Sequence, residues 1–481
     1  MKSKLFSAST ISASFLVLTA CSSGLQAPLS AIPTRQVAPA RVQAKWVTKK
    51  QSPFLPAEVV VEYRSGFATQ AQQTPVLPGL THAQPLTIQG DKFALLKFQS
   101  QAQSDQAVSK LKSLPEVASV ARNPRYTALA APQVPVFRQS TAAAPLSDAF
   151  YPLQWALPKI GIPQAWGLMR SKQEILVAVV DSGVDYRHPD LKGQIINGMD
   201  FMAEDVSGPN GIGSPDTVDD DPLDQLGHGT HVAGIIAALA DNQTGVAGIA
   251  PMVKVLNIKA LNQEGWGSAF AIAQGITYAT DKGARVINLS LGGGDQSKPI
   301  QLAIEYAQSK GVLIVAAAGN SFTHTGFPAN LPGVLAVGAT DSKDWLADFT
   351  NHDERIDVMA PGVDIMSTTP TYLTNAMSQN GIDVFYSAMS GTSMACPIVT
   401  AQAALLLSMN PGLKAEQVKE LITRTAKPVG DARLFGSGRI QIDASLQALA
   451  AGMNPAQPPA DPAAPSAALS ALRASRSLSR R

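Results

Sequence analysis

Cysteine is scarce in this sequence: only Cys21 and Cys396 occur among its 481 residues. Each has its own local explanation below, so we expect no disulfide, and resistance to heat would have to come from packing or bound metal. An excess of charge of one sign is also missing, because 38 Lys and Arg oppose 36 Asp and Glu. The net charge of +2 gives no general reason to expect nucleic acid or an acidic partner.

Long apolar runs are missing from the chain after its N-terminal segment. No later segment approaches the roughly 20 apolar residues that a membrane span requires. Residues 1–20 combine Lys2 and Lys4 with an apolar stretch, which is typical of an export signal. The motif "LTAC" at 18–21 resembles a bacterial lipobox and implies a lipid on Cys21, at the membrane or cell surface. The alternative is ordinary cleavage of the signal peptide, which would leave Cys21 unmodified and give an extracellular product.

Composition divides the chain into six parts. Hydrophobic residues make up 45% and charged residues 15%, so large cores can be buried and global disorder is excluded. Alternating patterns predict a small α+β unit, whereas runs rich in Ala, Pro and Ser predict a tether, a linker and a disordered tail. The predicted parts are the signal peptide 1–20, the tether 21–56, the α+β unit 57–126, the linker 127–148, the main domain 149–450 and the tail 451–481.

Apolar, β-branched runs alternate with segments of helical periodicity throughout the main domain. This alternation predicts an α/β fold with parallel strands and helices on both faces of the sheet. Functional side chains gather at the carboxyl ends of such strands. Asp181, Ser290 and Asn320 each follow directly on an apolar run, so we expect them at one edge of the sheet. The runs lie at 174–183, 253–260, 284–293 and 311–320.

Three short motifs, far apart in the sequence, carry an Asp, a His and a Ser. "VVDSG" contains Asp181, "GHGTH" contains His228 and "SGTSMACP" contains Ser393. A serine hydroxyl attacks an acyl group poorly until an imidazole accepts its proton, and a carboxylate fixes the tautomer of that imidazole. A fourth motif, "AAAGN", ends in Asn320, whose amide can donate to the oxyanion of a tetrahedral intermediate. The set predicts hydrolytic acyl transfer.

Over residues 150–447 the chain resembles the subtilisin family (subtilases) of serine proteases. The resemblance implies a subtilisin-like domain in which Asp181 orients the base, His228 is general base and then acid, and Ser393 is the nucleophile. Asn320 and the backbone N–H of Ser393 would form the oxyanion hole. The order Asp, His, Ser is that of the subtilisins, so it belongs to the resemblance and is not separate evidence.

The resemblance also predicts what the cleft binds. Two segments of exposed backbone would pair with an extended polypeptide substrate, with a broad or apolar preference before the scissile bond. Trp266 would either border a more distal subsite or only pack. The predicted wall residues are Ser290, Leu291, Gly292, Gly293, Ala317 and Gly319.

The α+β unit at 57–126 resembles the inhibitor-type propeptide of subtilases, a ferredoxin-like prodomain. Such a unit would inhibit the enzyme from within the same chain and be removed by the enzyme itself, with cleavage between 127 and 148. We expect a monomer whose partners are polypeptides, with no nucleic acid and no organic cofactor. The only membrane contact would be the lipid anchor.

Calcium is the cofactor that the resemblance implies. Asp190 matches a calcium-binding aspartate of the family, and the loop 239–246 resembles its partner loop, with Asp241 as side-chain ligand. The acidic loop 216–227 is a second candidate, with a solvated loop as an equal alternative. The predicted ligands are Asp190, Asp241, Leu239, Thr244, Val246 and Gln154.

Two other functions remain open at this stage. A catalytically silent surface protein would use the cleft only to bind peptides, although the four intact catalytic positions argue against it. A thiol hydrolase would use Cys396, three residues after Ser393. Together with Val399 and Ala403, however, Cys396 forms an apolar helix stripe, which predicts a buried and inert thiol. His231, three residues after the proposed base, is predicted to be structural.

Overall fold

A computed structural model describes residues 52–64, 77–129, 131–132, 146–169, 173–202, 218–293 and 295–452. Cys21, the signal peptide, most of the tether and the tail from 453 onward lie outside the described residues, as do parts of the linker and of the acidic loop.

The N-terminal unit is a four-stranded antiparallel sheet with one helix in its described part. The strands run in the order β4-β1-β3-β2, which is the order of ferredoxin-like folds; residues 65–76, within the link from β1 to β2, lie outside the described range. Ser100 caps the helix by accepting the backbone N–H of Gln103. The elements are β1 (Phe54–Tyr63), β2 (Leu80–Ile88), β3 (Asp91–Phe98), α1 (Gln101–Lys112) and β4 (Val117–Ala128).

The main domain alternates strands and helices, as its apolar periodicity predicts. Its strands are β5 (Ala131–Pro132), β6 (Leu176–Asp181), β7 (Ile195–Asp200), β8 (Lys254–Lys259), β9 (Trp266–Ser268), β10 (Val286–Leu289), β11 (Leu291–Gly292), β12 (Leu313–Ala317), β13 (Leu335–Thr340), β14 (Val358–Pro361), β15 (Ile365–Thr368) and β16 (Tyr386–Ser390). Its helices are α2 (Ala156–Lys159), α3 (Ile162–Leu168), α4 (His228–Ala237), α5 (Ala269–Asp281), α6 (Lys298–Ser309), α7 (Asn375–Asn380), α8 (Thr392–Met409), α9 (Ala415–Arg424), α10 (Ala432–Phe435) and α11 (Ile442–Ala450).

Among the described residues, seven strands form the central parallel sheet, in the order β14-β13-β12-β10-β6-β8-β7. The inner strands are buried along their whole length, which explains why they read as continuous apolar runs rather than as alternating patterns. The predicted fold class, a mostly parallel sheet with helices preceded by a small prodomain-like unit, is confirmed.

Helix α8 passes through the core of the main domain. By length and composition alone it could cross a membrane, but 94% of its apolar window is buried inside the protein. Its apolar character is therefore explained by packing against the central sheet and α4, with which it makes extensive contact.

Strand β4 leaves the N-terminal unit and continues into the main domain. There it pairs antiparallel with β9 on one side and with β11 on the other, so that one sheet joins the two parts of the chain. Beyond β4, the two residues of β5 pair antiparallel with β16. The described residues on either side of residue 130 thus pair with strands next to the predicted functional residues Ser290 and Ser393.

Candidate active site

Asp181 and His228 form a hydrogen-bonded pair that is closed to solvent. Asp181 ends β6 and His228 begins α4; the carboxylate Oδ1 lies 2.7 Å from Nδ1 of the imidazole, and both side chains are 0% exposed. Helix α4 can approach β6 this closely because the next residue is Gly229. A Cβ there would lie 2.1 Å from the carbonyl oxygen of Gly183. The carboxylate therefore fixes the imidazole with Nδ1 toward it and Nε2 toward the cleft.

Ser393 lies at the N-terminus of α8 and its hydroxyl is engaged with backbone groups. Oγ donates to the carbonyl of Ser290 at 2.7 Å and accepts the N–H of Leu129 at 3.0 Å. Within the described part of the chain, Nε2 of His228 has no hydrogen-bond partner. In this state the hydroxyl and the imidazole are consequently not joined by a hydrogen bond.

The carbonyl oxygen of Leu129 is held by two donors. It accepts the side-chain amide of Asn320 at 2.5 Å and the backbone N–H of Ser393 at 3.2 Å. The amide of Asn320 is itself oriented, because its oxygen accepts both the N–H and the hydroxyl of Thr392, at 3.0 and 2.8 Å. These two donors are the ones predicted for an oxyanion hole, and a peptide carbonyl of the same chain occupies the place between them.

The predicted cleft walls contact the segment that precedes Leu129. Leu291 and Gly292 of β11 pair with Ala128 and Thr127, and the N–H of Ala128 also donates to the carbonyl of Gly265 at 2.9 Å. The segment is therefore bound on both sides through its backbone, which any extended peptide can reproduce.

Two side chains of this segment enter recesses in the wall. Leu129 packs on Gly292, where a Cβ would lie 3.0 Å from its Cδ1. Tyr126 is fully buried: its hydroxyl donates to the carbonyl of Asp295 at 2.7 Å and its ring lies 5.9 Å from that of Phe327. Other predicted wall residues line a cavity of about 490 Å³ beside the segment. They are Gly293, Ala317 and Gly319.

Asp224 is a functional residue that sequence reasoning missed. It is completely buried in the acidic loop and accepts the hydroxyls of Ser182 and Thr230, 2.9 and 2.6 Å away. It also accepts the backbone N–H groups of Leu226, Gly227 and Thr230 at the start of α4. Asp224 thus holds the first turn of the helix that carries His228. In the sequence Asp224 follows three other acidic residues of the same loop, which are exposed or half-exposed, and no pattern there predicts that it is buried.

The predicted calcium ligands are arranged differently from the expected set. The two oxygens of Asp190 accept the side-chain amide of Asn242 and the N–H of Val246, at 2.7 and 3.0 Å, and Leu239 donates its N–H to the backbone carbonyl of Asp190. Asp241 turns instead to the N–H and hydroxyl of Ser147, which lie 3.1 and 2.8 Å from its Oδ1.

Gln154, also in the predicted set, is held by the backbone of Ala247. Its side-chain NH₂ donates to the carbonyl of Ala247, and its side-chain oxygen accepts the N–H of Ala247. Thr244 donates its N–H to the side chain of Asn242. No group of three or more His, Cys, Asp or Glu side chains among the described residues is placed to hold a metal. The calcium site stays a prediction.

A carboxylate absent from the expected set, Asp148, lies near Asp190. It is 2% exposed and accepts the N–H groups of Asp241 and Asn242. Burial, together with the like charge of Asp148, raises the pKa of Asp190 to about 6. Asp148 and Asp190 thus both contact the loop 239–246, and they do so by accepting its N–H groups and the side-chain amide of Asn242.

Cys396 and His231 are both closed off from the chemistry. The sulfur of Cys396 is fully buried and lies 3.4 Å from the carbonyl oxygen of Val315; burial raises its pKa to about 12. His231 is also fully buried, and its Nε2 lies 3.1 Å from the carbonyl oxygen of Ser387. Burial, followed by the neighbouring His228, lowers the pKa of His231 to about 3, so it stays neutral.

Comparison with known proteins gives two family matches. Residues 172–438 match the subtilase family, and residues 40–123 match the fervidolysin N-terminal prodomain. Thermitase from Thermoactinomyces vulgaris is 38% identical over 305 residues, which cover 63% of this chain and 99% of thermitase. A thermophilic serine proteinase from Bacillus sp. (strain AK1) is 43% identical over 278 residues, which cover 57% of this chain and 62% of the relative.

A solved structure is also similar. The crystal structure of fervidolysin from Fervidobacterium pennivorans, described as a keratinolytic enzyme related to subtilisin, aligns with a TM-score of 0.67 at 27% identity. The alignment covers 83% of this chain and 62% of fervidolysin. The chain therefore spans less than two thirds of the length of fervidolysin and of the Bacillus proteinase.

We expect Asp224→Asn to lower the free energy of unfolding by about 2–4 kcal/mol, because an amide NH₂ would face N–H donors in a buried site. Urea unfolding of the variant, made in a Ser393→Ala background to prevent autolysis, measures this loss. Asp220→Asn is the matched control: this carboxylate is exposed in the same loop, and its loss should change the stability by less than about 0.5 kcal/mol. Equal stabilities for the two variants would contradict the role of Asp224.

We expect the thiol of Cys396 to resist iodoacetamide in the native protein at pH 8. With a pKa near 12, only about one thiol in ten thousand is ionised at that pH, and the sulfur is buried as well. Mass spectrometry of the peptide that contains Cys396, from native and urea-unfolded samples, measures the modification. Rapid labelling of the native protein with loss of hydrolysis would instead support the thiol hydrolase.

Proposed function

The chain belongs to the subtilase family, and we propose that it is a serine endopeptidase made as a self-inhibited precursor that processes itself. The observation that carries the proposal is the carbonyl of Leu129, which lies between the Asn320 amide and the Ser393 N–H. Ser393 Oγ also accepts the N–H of Leu129 at 3.0 Å, which supports Leu129 as the residue whose carbonyl the hydroxyl would attack.

In the proposed reaction, Ser393 Oγ attacks the carbonyl carbon of Leu129 and passes its proton to Nε2 of His228. Asp181 keeps the imidazole in the tautomer that accepts there and stabilises its positive form. Asn320 and the N–H of Ser393 stabilise the negative oxygen of the tetrahedral intermediate. The C–N bond then breaks, His228 gives its proton to the leaving amine, and water hydrolyses the acyl-enzyme to leave a carboxylate at Leu129.

The processing bond follows from this arrangement. We place it directly after Leu129, within the linker 127–148 where the sequence predicts cleavage. The paired strands β4, β9 and β11 would still hold the new carboxyl end in the cleft after the cut. The prodomain would thus act first as substrate and then as inhibitor, until it is released or degraded.

Export and lipid anchoring are proposed from the sequence alone. The signal-like residues 1–20 and the "LTAC" motif that ends in Cys21 support an exported protein, held at the membrane or cell surface by lipid or released after processing. Intact mass and N-terminal sequencing of the mature protein test this proposal, because a lipid adds a defined mass to Cys21.

Calcium is proposed as a structural ion near Asp190. Asp148 and Asp190 would hold it through their carboxylates, together with carbonyls of the loop 239–246, and the ion would remove the repulsion between two buried negative charges. It would take no part in the reaction. It would tie the segment at Asp148 to the loop that follows α4.

We expect purified precursor carrying Ser393→Ala to remain at full length, whereas the unmodified protein cuts itself after Leu129. The fragment masses and the C-terminal residue of the released prodomain, followed over time by mass spectrometry, measure the processing. Cys396→Ala is the matched control three residues away and should mature normally. Maturation of purified Ser393→Ala at the same bond would show that the protein does not process itself.

We expect EGTA to lower the melting temperature and to speed autolysis, since an ion at one hundred times its Kd adds about 2.7 kcal/mol to stability. Differential scanning fluorimetry with and without calcium measures the shift. Asp190→Asn and Asp148→Asn should lose the response. Asp241→Asn should keep it, because that carboxylate bonds to Ser147. An unchanged melting temperature in the unmodified protein would remove the calcium proposal.

A further inference from the structure

We propose that Trp266 and Glu264 form a subsite for a cationic side chain in the cleft. The subsite binds the substrate residue that lies four positions before the residue whose carbonyl is attacked. We call this pair the cation subsite. The inference rests on the proposed endopeptidase function and adds a specificity determinant beyond the apolar walls. In the precursor its occupant is Arg125 of the same chain.

The guanidinium of Arg125 lies over the indole of Trp266. Its Cζ is 4.6 Å from the centroid of the ring, well within the distance at which the ring face attracts a cation. The backbone register fixes this placement, because Arg125 pairs with Ser268 and Thr127 pairs with Trp266 across β4 and β9. A substrate that binds along β9 in the same register would bring its own side chain to the same ring.

Glu264 and Trp266 act as one unit on the enzyme side. The indole N–H donates to the carboxylate of Glu264 at 3.1 Å, so the ring and the negative charge are held together. Burial lowers the pKa of Arg125, while the charges of Glu264 and Glu58 oppose this effect. The carboxylate therefore adds electrostatic attraction to the contact with the ring face.

The guanidinium of Arg125 is partly removed from water. Nε and Nη1 are shielded from solvent and, within the described residues, neither has a hydrogen-bond partner. Desolvated cations interact more strongly with an aromatic face than exposed ones. The ring of Trp266 is therefore the group that compensates for the lost hydration of these two nitrogens.

Processing separates the neighbours of Arg125 into two sets. Glu58, on β1, and Pro53, whose carbonyl accepts the N–H of Arg125, belong to the N-terminal unit and leave with it. Glu264 and Trp266 belong to the main domain and remain. The mature enzyme would then present an aromatic face and a carboxylate at the distal end of its cleft, which is the complement of an Arg or Lys side chain.

The test uses the mature enzyme and two peptides, acetyl-Arg-Tyr-Thr-Ala-Leu-p-nitroanilide and the same peptide with Gln in place of Arg. We expect a kcat/KM ratio of about 3-fold to 30-fold in favour of Arg, the range for a cation on an aromatic face at a partly desolvated site. Glu264→Gln should reduce the ratio, and should make it less sensitive to salt, while Trp266→Leu should bring it close to one.

Glu416→Gln is the control, because it removes the same charge from an exposed position on α9 and should keep the ratio of the unmodified enzyme. Since each variant is judged by the ratio of two peptides, a general loss of activity does not imitate the effect. Equal kcat/KM values for the two peptides in the unmodified enzyme would overturn the cation subsite. Failure to hydrolyse either peptide would instead count against the proposed function.

Discussion

The insertion of β4 between β9 and β11 is the interaction on which the rest of this structure depends. Its backbone hydrogen bonds fix the register of residues 125–129, and that register delivers the carbonyl of Leu129 to Asn320 and Ser393. Pairing through the backbone is indifferent to side chains, so a strand of almost any sequence could lie in the cleft. Selectivity is left to the side chains that enter recesses in the wall or meet its distal end.

In the proposed function, the N-terminal unit and a substrate would bind to the cleft in the same way. Tyr126 is fully buried against Phe327 and Leu129 packs on Gly292, so the prodomain occupies the recesses that an external polypeptide would use. The described part of the linker continues as β5 along β16, on the other side of the nucleophile. The described residues before and after residue 130 are therefore both paired with strands of the main domain. Occupation of the cleft by residues 125–129 would by itself account for the proposed inhibition.

The fold and the family of serine peptidases were predictable from sequence because both leave local signals. Parallel strands buried on two faces read as apolar runs, and Asp181, His228 and Ser393 lie in short motifs with glycines at the close approaches. Asp224, Asp148 and Leu129 left no such signal. Each depends on a partner distant in sequence: Asp224 on the residue after Asp181, in addition to the nearby start of α4, Asp148 on Asp190, and Leu129 on α8. Only the tertiary structure brings these partners together.

The position of the Ser393 hydroxyl bears on why a bound strand can persist as an inhibitor. Oγ donates its hydrogen bond to the carbonyl of Ser290, and Nε2 of His228 has no partner within the described residues. A nucleophile whose proton points at a carbonyl is not activated, because the base must receive that proton during attack. In the proposed reaction the hydroxyl would leave the carbonyl of Ser290 and turn toward Nε2, while Asp181 would hold the imidazole and Asn320 the carbonyl of Leu129. The two donors already hold the carbonyl of Leu129, so in the proposed reaction the reorientation of the hydroxyl would be the step between binding and cleavage.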